Sequence, residues 1–81
     1  MAHELTLIGR DGCHLCDDAR AVVTEVLADA PSITLVEISI DDDAELRERY
    51  HDEIPVVLID GRMHSYWRVD AERLRAALAT A

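Results

Sequence analysis

Cys13 and Cys16 stand three positions apart in the stretch RDGCHLCDDAR, residues 10–20, and they are the chain's two cysteines. Three kinds of chemistry fit such a pair: a redox-active disulfide, half of a metal site, or two inert thiols. Residues three apart on a helix share a face, and that separation lets a disulfide close with little strain. As a purely structural staple the bridge would be weak, because closing so short a loop removes little chain entropy. Zinc asks for four ligands. Besides the cysteines the chain offers His3, His14, His51 and His64, scattered, with no second CxxC and no histidine pair at ligand spacing. The residues therefore favour redox use, with the metal site as the stronger alternative.

The flanking pattern supplies the context. The run ELTLI, Glu4 to Ile8, is a short apolar strand ended by Gly9. Leu15, Ala19, Val22, Val23, Val26 and Leu27 then recur at spacings of three and four, which predicts a helix starting near Gly12 or Cys13 and stopping before Pro31. Ser32 to Ile40 is rich in β-branched residues and reads as a second strand. A strand–helix–strand unit makes the two strands parallel. DDDAELRERY predicts a short helix with Leu46 and Tyr50 on one face and with Asp42 and Glu45 spaced like a capping box. IPVVLIDGRMHSYW reads as a hairpin turning at Asp60-Gly61, and VDAERLRAALATA as a closing helix capped by Asp70, with Leu74, Ala77 and Leu78 on its apolar side. The order β-α-β-α-β-β-α predicts an α/β fold: a four-stranded mixed sheet flanked by helices.

That order puts Cys13 at a strand–helix junction and Cys16 one turn deeper. Unpaired N–H groups and the positive end of the helix favour thiolate over thiol at Cys13. Cys13 is then the attacking thiol, and Cys16, less exposed, resolves the mixed disulfide. Arg10 favours the thiolate and Asp11, Asp17 and Asp18 oppose it. Asp17 and Asp18 also suit the positive end of the helix. His14 either adds positive charge near the thiolate or is simply exposed.

Bulk composition bounds the rest. Eighty-one residues hold one small domain, 1–81, and 49% apolar content is enough for a packed core. Seventeen acidic residues face eight arginines and no lysine, for a net charge of −9. Nucleic-acid binding needs a basic footprint, so it is not expected; nor is docking on an anionic membrane. No apolar run reaches membrane-spanning length, and MAHELTLIGR lacks the basic and apolar regions of a signal peptide. A cytoplasmic location is expected, where a disulfide is usually catalytic or transient.

Pro55 carries the second signal, opening a strand where its missing N–H does least harm. With GCHLC, IPVVLIDG and VDAERLRAAL in this order, the chain from Glu4 to Leu78 resembles a glutaredoxin-like protein of the thioredoxin-fold superfamily, of the small bacterial type. The resemblance implies that Pro55 is cis and faces the CxxC. It implies that the Ile54 backbone pairs with a bound thiol substrate like an added strand. It also implies that Asp70 sits where glutaredoxins hold the amino group of glutathione. The lysine that often pairs with the glycine carboxylate of glutathione upstream of the CxxC is absent, leaving Arg10 as the nearest cation, and Arg10 and His14 are the residues expected on the substrate side. The chain departs from that family in HSYWRVD, where glutaredoxins carry two glycines before the last helix. It departs again in His14-Leu15, which replace Pro-Tyr between the cysteines. Trp67 is expected to pack the core.

The resemblance thus implies a thiol–disulfide oxidoreductase; no bound cofactor is expected, and solubility at this high charge suggests a monomer. Its partners would be protein disulfides or glutathione adducts, with glutathione as co-substrate or a reductase as recycling partner. The alternatives are a thioredoxin-like reductant served by a protein reductase, and a non-catalytic iron–sulfur or zinc-binding module.

Overall fold

A computed structural model describes residues 3–80. Strand β1 (Glu4–Gly9) runs into helix α1 (His14–Ala28), then strand β2 (Thr34–Ser39), helix α2 (Ala44–Tyr50), strands β3 (Val56–Ile59) and β4 (Arg62–Tyr66), and helix α3 (Ala71–Thr80). The sheet order is β2-β1-β3-β4. β1 and β2 are parallel, whereas β3 is antiparallel to both β1 and β4. The α/β mixed sheet with three helices is as expected.

Side chains on a strand alternate between faces, and the two faces of this sheet build two core layers. Leu5, Leu7, Val57 and Ile59 pack against Ala19, Val23 and Val26 of α1 and Leu74 and Leu78 of α3. On the opposite face Ile8 and Val56 pack with Ile40 and Tyr50, flanked by Leu46 and Ile54. Being covered on both sides, β1 is buried without interruption from Leu5 to Ile8. That is why its sequence reads as an apolar run rather than as alternation.

Three local expectations are corrected. Ile40 does not extend β2. Ile40–Asp42 form a 3-10 turn, which drives the Ile40 side chain, fully buried, into the second core layer. Asp42 is therefore inside that turn and is not the cap of α2. Asp43 is the cap, its carboxylate accepting from the N–H groups of Glu45 and Leu46 at 3.0 and 3.1 Å. Trp67 is not a core residue: it is 53% exposed, and its neighbour Tyr66 47%.

The hairpin turn falls at Asp60-Gly61, both at positive φ (50° and 85°), as a two-residue turn matching strand twist requires. The Asp60 carboxylate also accepts from the backbone N–H groups of His3 and Glu4 at 3.1 and 3.0 Å. These bonds pin the turn to the start of β1 and hold the Asp60 carboxyl below its ordinary value.

Candidate functional site

Residues 10–12 leave the central strand and turn into α1, with Gly12 at φ 77°. Cys13 is the N-cap of α1, in extended conformation. Its sulfur takes the role a serine oxygen plays at other helix starts, accepting from the N–H of Cys16 at 3.3 Å. The Cys13 carbonyl accepts the first helical bond from Asp17 N–H at 3.0 Å. The expected placement is therefore observed: Cys13, half-buried, has its sulfur among the unpaired N–H groups of a fifteen-residue helix.

Cys16 is buried, 2% exposed. Both thiols are free. Burial pushes the Cys16 thiol up to about 11, helped by its hydrogen bond to Cys13 and by the charges of Cys13 and Asp17; the Arg10 backbone N–H works the other way. The two thiols are thus made unequal by depth.

One residue that sequence reasoning used only as a strand terminator belongs to this site. A Cβ on Gly9 would lie 2.9 Å from Cys16 Sγ and 3.2 Å from its Cβ. Gly9 lets the end of β1 approach the second cysteine that closely. The signal was available, since a glycine four residues before a CxxC invites the question of what its missing side chain clears.

The antiparallel register brings Ile8 opposite Val56, with Leu7 opposite Val57. Continued by one residue, it sets Pro55 beside Gly9, at the end of the sheet from which the cysteine loop leaves. The Ile54–Pro55 peptide bond is cis. Pro55 is buried, and Ile54 is half-buried against the second core layer.

The remaining named residues are placed as follows. Arg10 is exposed and its guanidinium pairs with Asp41 at 2.6 Å, so its charge is compensated from the 3-10 turn. His14 is exposed on the first turn of α1. Asp70 caps α3, its carboxylate accepting from Arg73 N–H at 3.0 Å, and it lines a groove with Leu15, Asp18, Ala19 and Val22 of α1. The structure thus gathers Cys13, Cys16 and Ile54-Pro55 at one end of the sheet. It brings Asp70 to a groove that also contains Leu15, from within the CxxC.

The turn before α3 is the site's least expected feature. Trp67 has φ 67°, a conformation that glycine adopts freely and a bulky residue rarely. The Arg68 N–H donates to the Tyr66 carbonyl at 2.9 Å, closing a tight turn around it. Trp67 N–H donates to the carbonyls of Pro55 (2.9 Å) and Glu53 (3.3 Å), and its indole N–H to the Asp52 carbonyl at 2.8 Å. These bonds offset the strain and fasten the turn to the Ile54-Pro55 loop. HSYWRVD thus bends through positive φ without the glycine that would make the bend easy. Among the described residues, no group of three or more His, Cys, Asp or Glu side chains is assembled to hold a metal, and no helix is long and apolar enough to cross a membrane.

Comparison with known proteins agrees with this geometry. The family model described as Glutaredoxin-like domain (DUF836) matches residues 4–79. The Mycobacterium tuberculosis protein Rv0508 is 40% identical over 84 residues, covering 94% of this chain and 82% of the relative. The crystal structure of target protein XcR50 from X. campestris is 44% identical, with a TM-score of 0.71 over 95% of this chain and 97% of that one. Fasciola hepatica thioredoxin, 17% identical, aligns with a TM-score of 0.67 over 95% of this chain and 78% of its own, which shows a shared fold.

Proposed function

The chain belongs to the glutaredoxin-like domain family, and from that premise we propose that it is a thiol–disulfide oxidoreductase working through Cys13 and Cys16. The observation that carries the reading is the pair of unequal thiols, one capping a helix and one buried a turn below it. The Cys13 thiolate attacks one sulfur of a substrate disulfide. A Cys13–substrate bond forms, the substrate S–S bond breaks, and the other sulfur leaves as a thiolate that takes a proton from water. Cys16 then loses its proton and attacks Cys13 Sγ. The second substrate thiol is released, and the two electrons given up by the Cys13–Cys16 dithiol have reduced the substrate disulfide.

The electrostatics suit that sequence of events. In the resting dithiol, Cys16 is held protonated by burial and by Cys13 itself. Once Cys13 is bound in a mixed disulfide it carries no negative charge. The contributions of Cys13 to holding the Cys16 proton are then removed, and burial remains. Cys16 thereby becomes easier to ionise at the stage where its attack is needed.

Pro55 and the Ile54 backbone, fastened through Trp67, border the site where a substrate chain would pair. Glutathione is the proposed co-substrate, with a protein reductase as the second way of returning electrons. The protein acts as a cytoplasmic monomer in this reading, without a resident cofactor. The test is turnover of a glutathionylated peptide by the reduced protein, with glutathione and its reductase supplying electrons. Turnover that disappears in Cys13→Ser supports the reading. Retained turnover in Cys13→Ser refutes it. A Cys13–Cys16 disulfide that cycles readily, with no turnover of the glutathionylated peptide, moves the recycling partner to a protein reductase.

A further inference from the structure

The eight arginines of this acidic chain are not equivalent. Arg10 pairs with Asp41, Arg20 with Asp17 and Glu37, and Arg75 with Asp29. Arg47 donates to the carbonyls of Ile40 and Asp41, and Arg49 lies over the Tyr50 ring. Arg62, Arg68 and Arg73 have no ion pair, side-chain hydrogen bond or ring partner among the described residues. Two of these three, Arg68 and Arg73, line the same groove as Leu15 and Asp70, and they also line the neighbouring hollow over Met63, His64 and Tyr66. Trp67 is the third residue common to both, standing between them. The two hollows, about 410 and 480 Å³, form one path from the CxxC turn across Trp67 to the outer face of β4. β4 is an edge strand.

Charge and shape along this path differ from the rest of the molecule. Residues 61–69 contain Arg62 and Arg68 and no Asp or Glu, in a chain of net charge −9. Among the described residues Met63, Tyr66 and Trp67 are the large apolar side chains left exposed. Tyr66 and Trp67 meet edge to face, with centroids 5.1 Å apart. Trp67 is held there at a backbone angle that has to be offset by three hydrogen bonds. An observed backbone outlier of this kind beside a reactive centre points toward function. In the first hollow Asp18 of α1 and Asp70 at the start of α3 oppose an anion, whereas the second is lined by Arg68 and Arg73 with no Asp or Glu, so a carboxylate is directed to the arginines on the β4 side of Trp67.

We propose that the protein partner reduced by Cys13 is an acidic segment, whose carboxylates are bound by Arg68 and Arg73 while the chain crosses the exposed Trp67 edge toward β4. This rests on the oxidoreductase reading and names its substrate class. A path that continues past Trp67 onto the edge strand β4 suits an extended polypeptide flanking the reactive cysteine. The electron balance is that of the proposed reaction: the partner's disulfide gains two electrons and becomes two thiols, and Cys13 and Cys16 become a disulfide.

The test uses the reduced full-length protein and three disulfide-linked peptide dimers, identical except that the residues flanking the cysteine are Glu, Gln or Lys. Oxidised glutathione is the fourth substrate. Each rate is divided by the rate of the same disulfide with dithiothreitol, which removes intrinsic differences in reactivity. The expected result is that the Glu peptide reacts about five- to tenfold faster than the Gln peptide, the size of two exposed ion pairs. The preference should shrink in 0.5 M salt and invert in the Arg68→Glu/Arg73→Glu double variant. Both positions are exposed, and the salt series on the unaltered protein tests the same point without a variant. A Lys peptide that reacts fastest, as the overall charge of −9 alone would dictate, overturns the proposal. So do equal rates for the three peptides, or a normalised glutathione disulfide rate above that of the Glu peptide. If none of the four disulfides oxidises Cys13 and Cys16, it is the oxidoreductase reading that falls.

Discussion

Limiting iodoacetamide, added to the reduced protein at pH 8, reads the inequality of the two thiols directly. Burial and the neighbouring sulfur hold Cys16 at about 11 against an ordinary 9.0. At pH 8 its thiolate fraction then drops from about one in ten to about one in a thousand, a loss of roughly 100-fold. A more basic thiolate is also a better nucleophile, and over two units that recovers roughly 6- to 10-fold. Ionisation alone therefore leaves Cys16 about tenfold slower than an unperturbed thiol. Its 2% exposure slows it further, because the reagent must reach the sulfur. Cys13, half-buried at the helix start, is the more accessible of the two sulfurs. Arg10 and Arg20 frame both cysteines in one tryptic peptide, Asp11 to Arg20, so fragment-ion mass spectrometry must locate the label. The expected outcome is modification of Cys13 at least tenfold faster than Cys16, with Cys16 labelling still rising with pH beyond 10. Comparable rates, or Cys16 labelling that levels off near pH 9, would show that depth does not differentiate the pair and would refute the assigned roles.

Gly9→Ala should destabilise the fold by about 1–3 kcal/mol in urea unfolding, because the new methyl would sit 2.9 Å from Cys16 Sγ. Asp43→Ala should cost about 1 kcal/mol through loss of the cap on α2, whereas Asp42→Ala should be near neutral; equal effects would contradict the capping geometry. Burial, reinforced by the Arg73 charge, lowers His64 below its ordinary 6.5. The folded state therefore binds fewer protons than the unfolded one. The stability this contributes is complete above about pH 6.5 and is lost as pH falls through the depressed folded value. Unfolding curves at pH 7.5 and 5 should show a smaller acid loss in His64→Gln than in the unaltered protein.

Much of this was legible in one dimension. The apolar run of β1, the three-and-four spacing of α1 and the Asp60-Gly61 turn each follow from local rules of periodicity and backbone conformation. Their order then gave the sheet and placed Cys13 at a helix start. Asp70 declared itself as a cap because capping depends on residues three apart. What failed was also local in appearance. Asp42 matched a capping-box spacing, yet Ile40 had to reach the second core layer. The tight turn that takes it there moved the cap to Asp43. Trp67 looked like core on residue type alone. Its position was decided by hydrogen bonds to Asp52, Glu53 and Pro55, which are distant in sequence.

The sequence by itself determined the element order, the parallel crossover and the pair of thiols at the start of α1. These depend on neighbours within a few residues, where spacing and chemistry are visible in the chain. The tertiary structure decided how the thiols differ and what surrounds them. Depth below the helix end sets the Cys16 proton, and strand register brings Gly9 and Pro55 to the same end. Arg10, Arg20 and Arg75 are ion-paired, whereas Arg68 and Arg73 of the Trp67 groove have no ion-pair partner among the described residues. Burial and charge compensation are sums over the whole neighbourhood in space. That neighbourhood exists only once the sheet has closed.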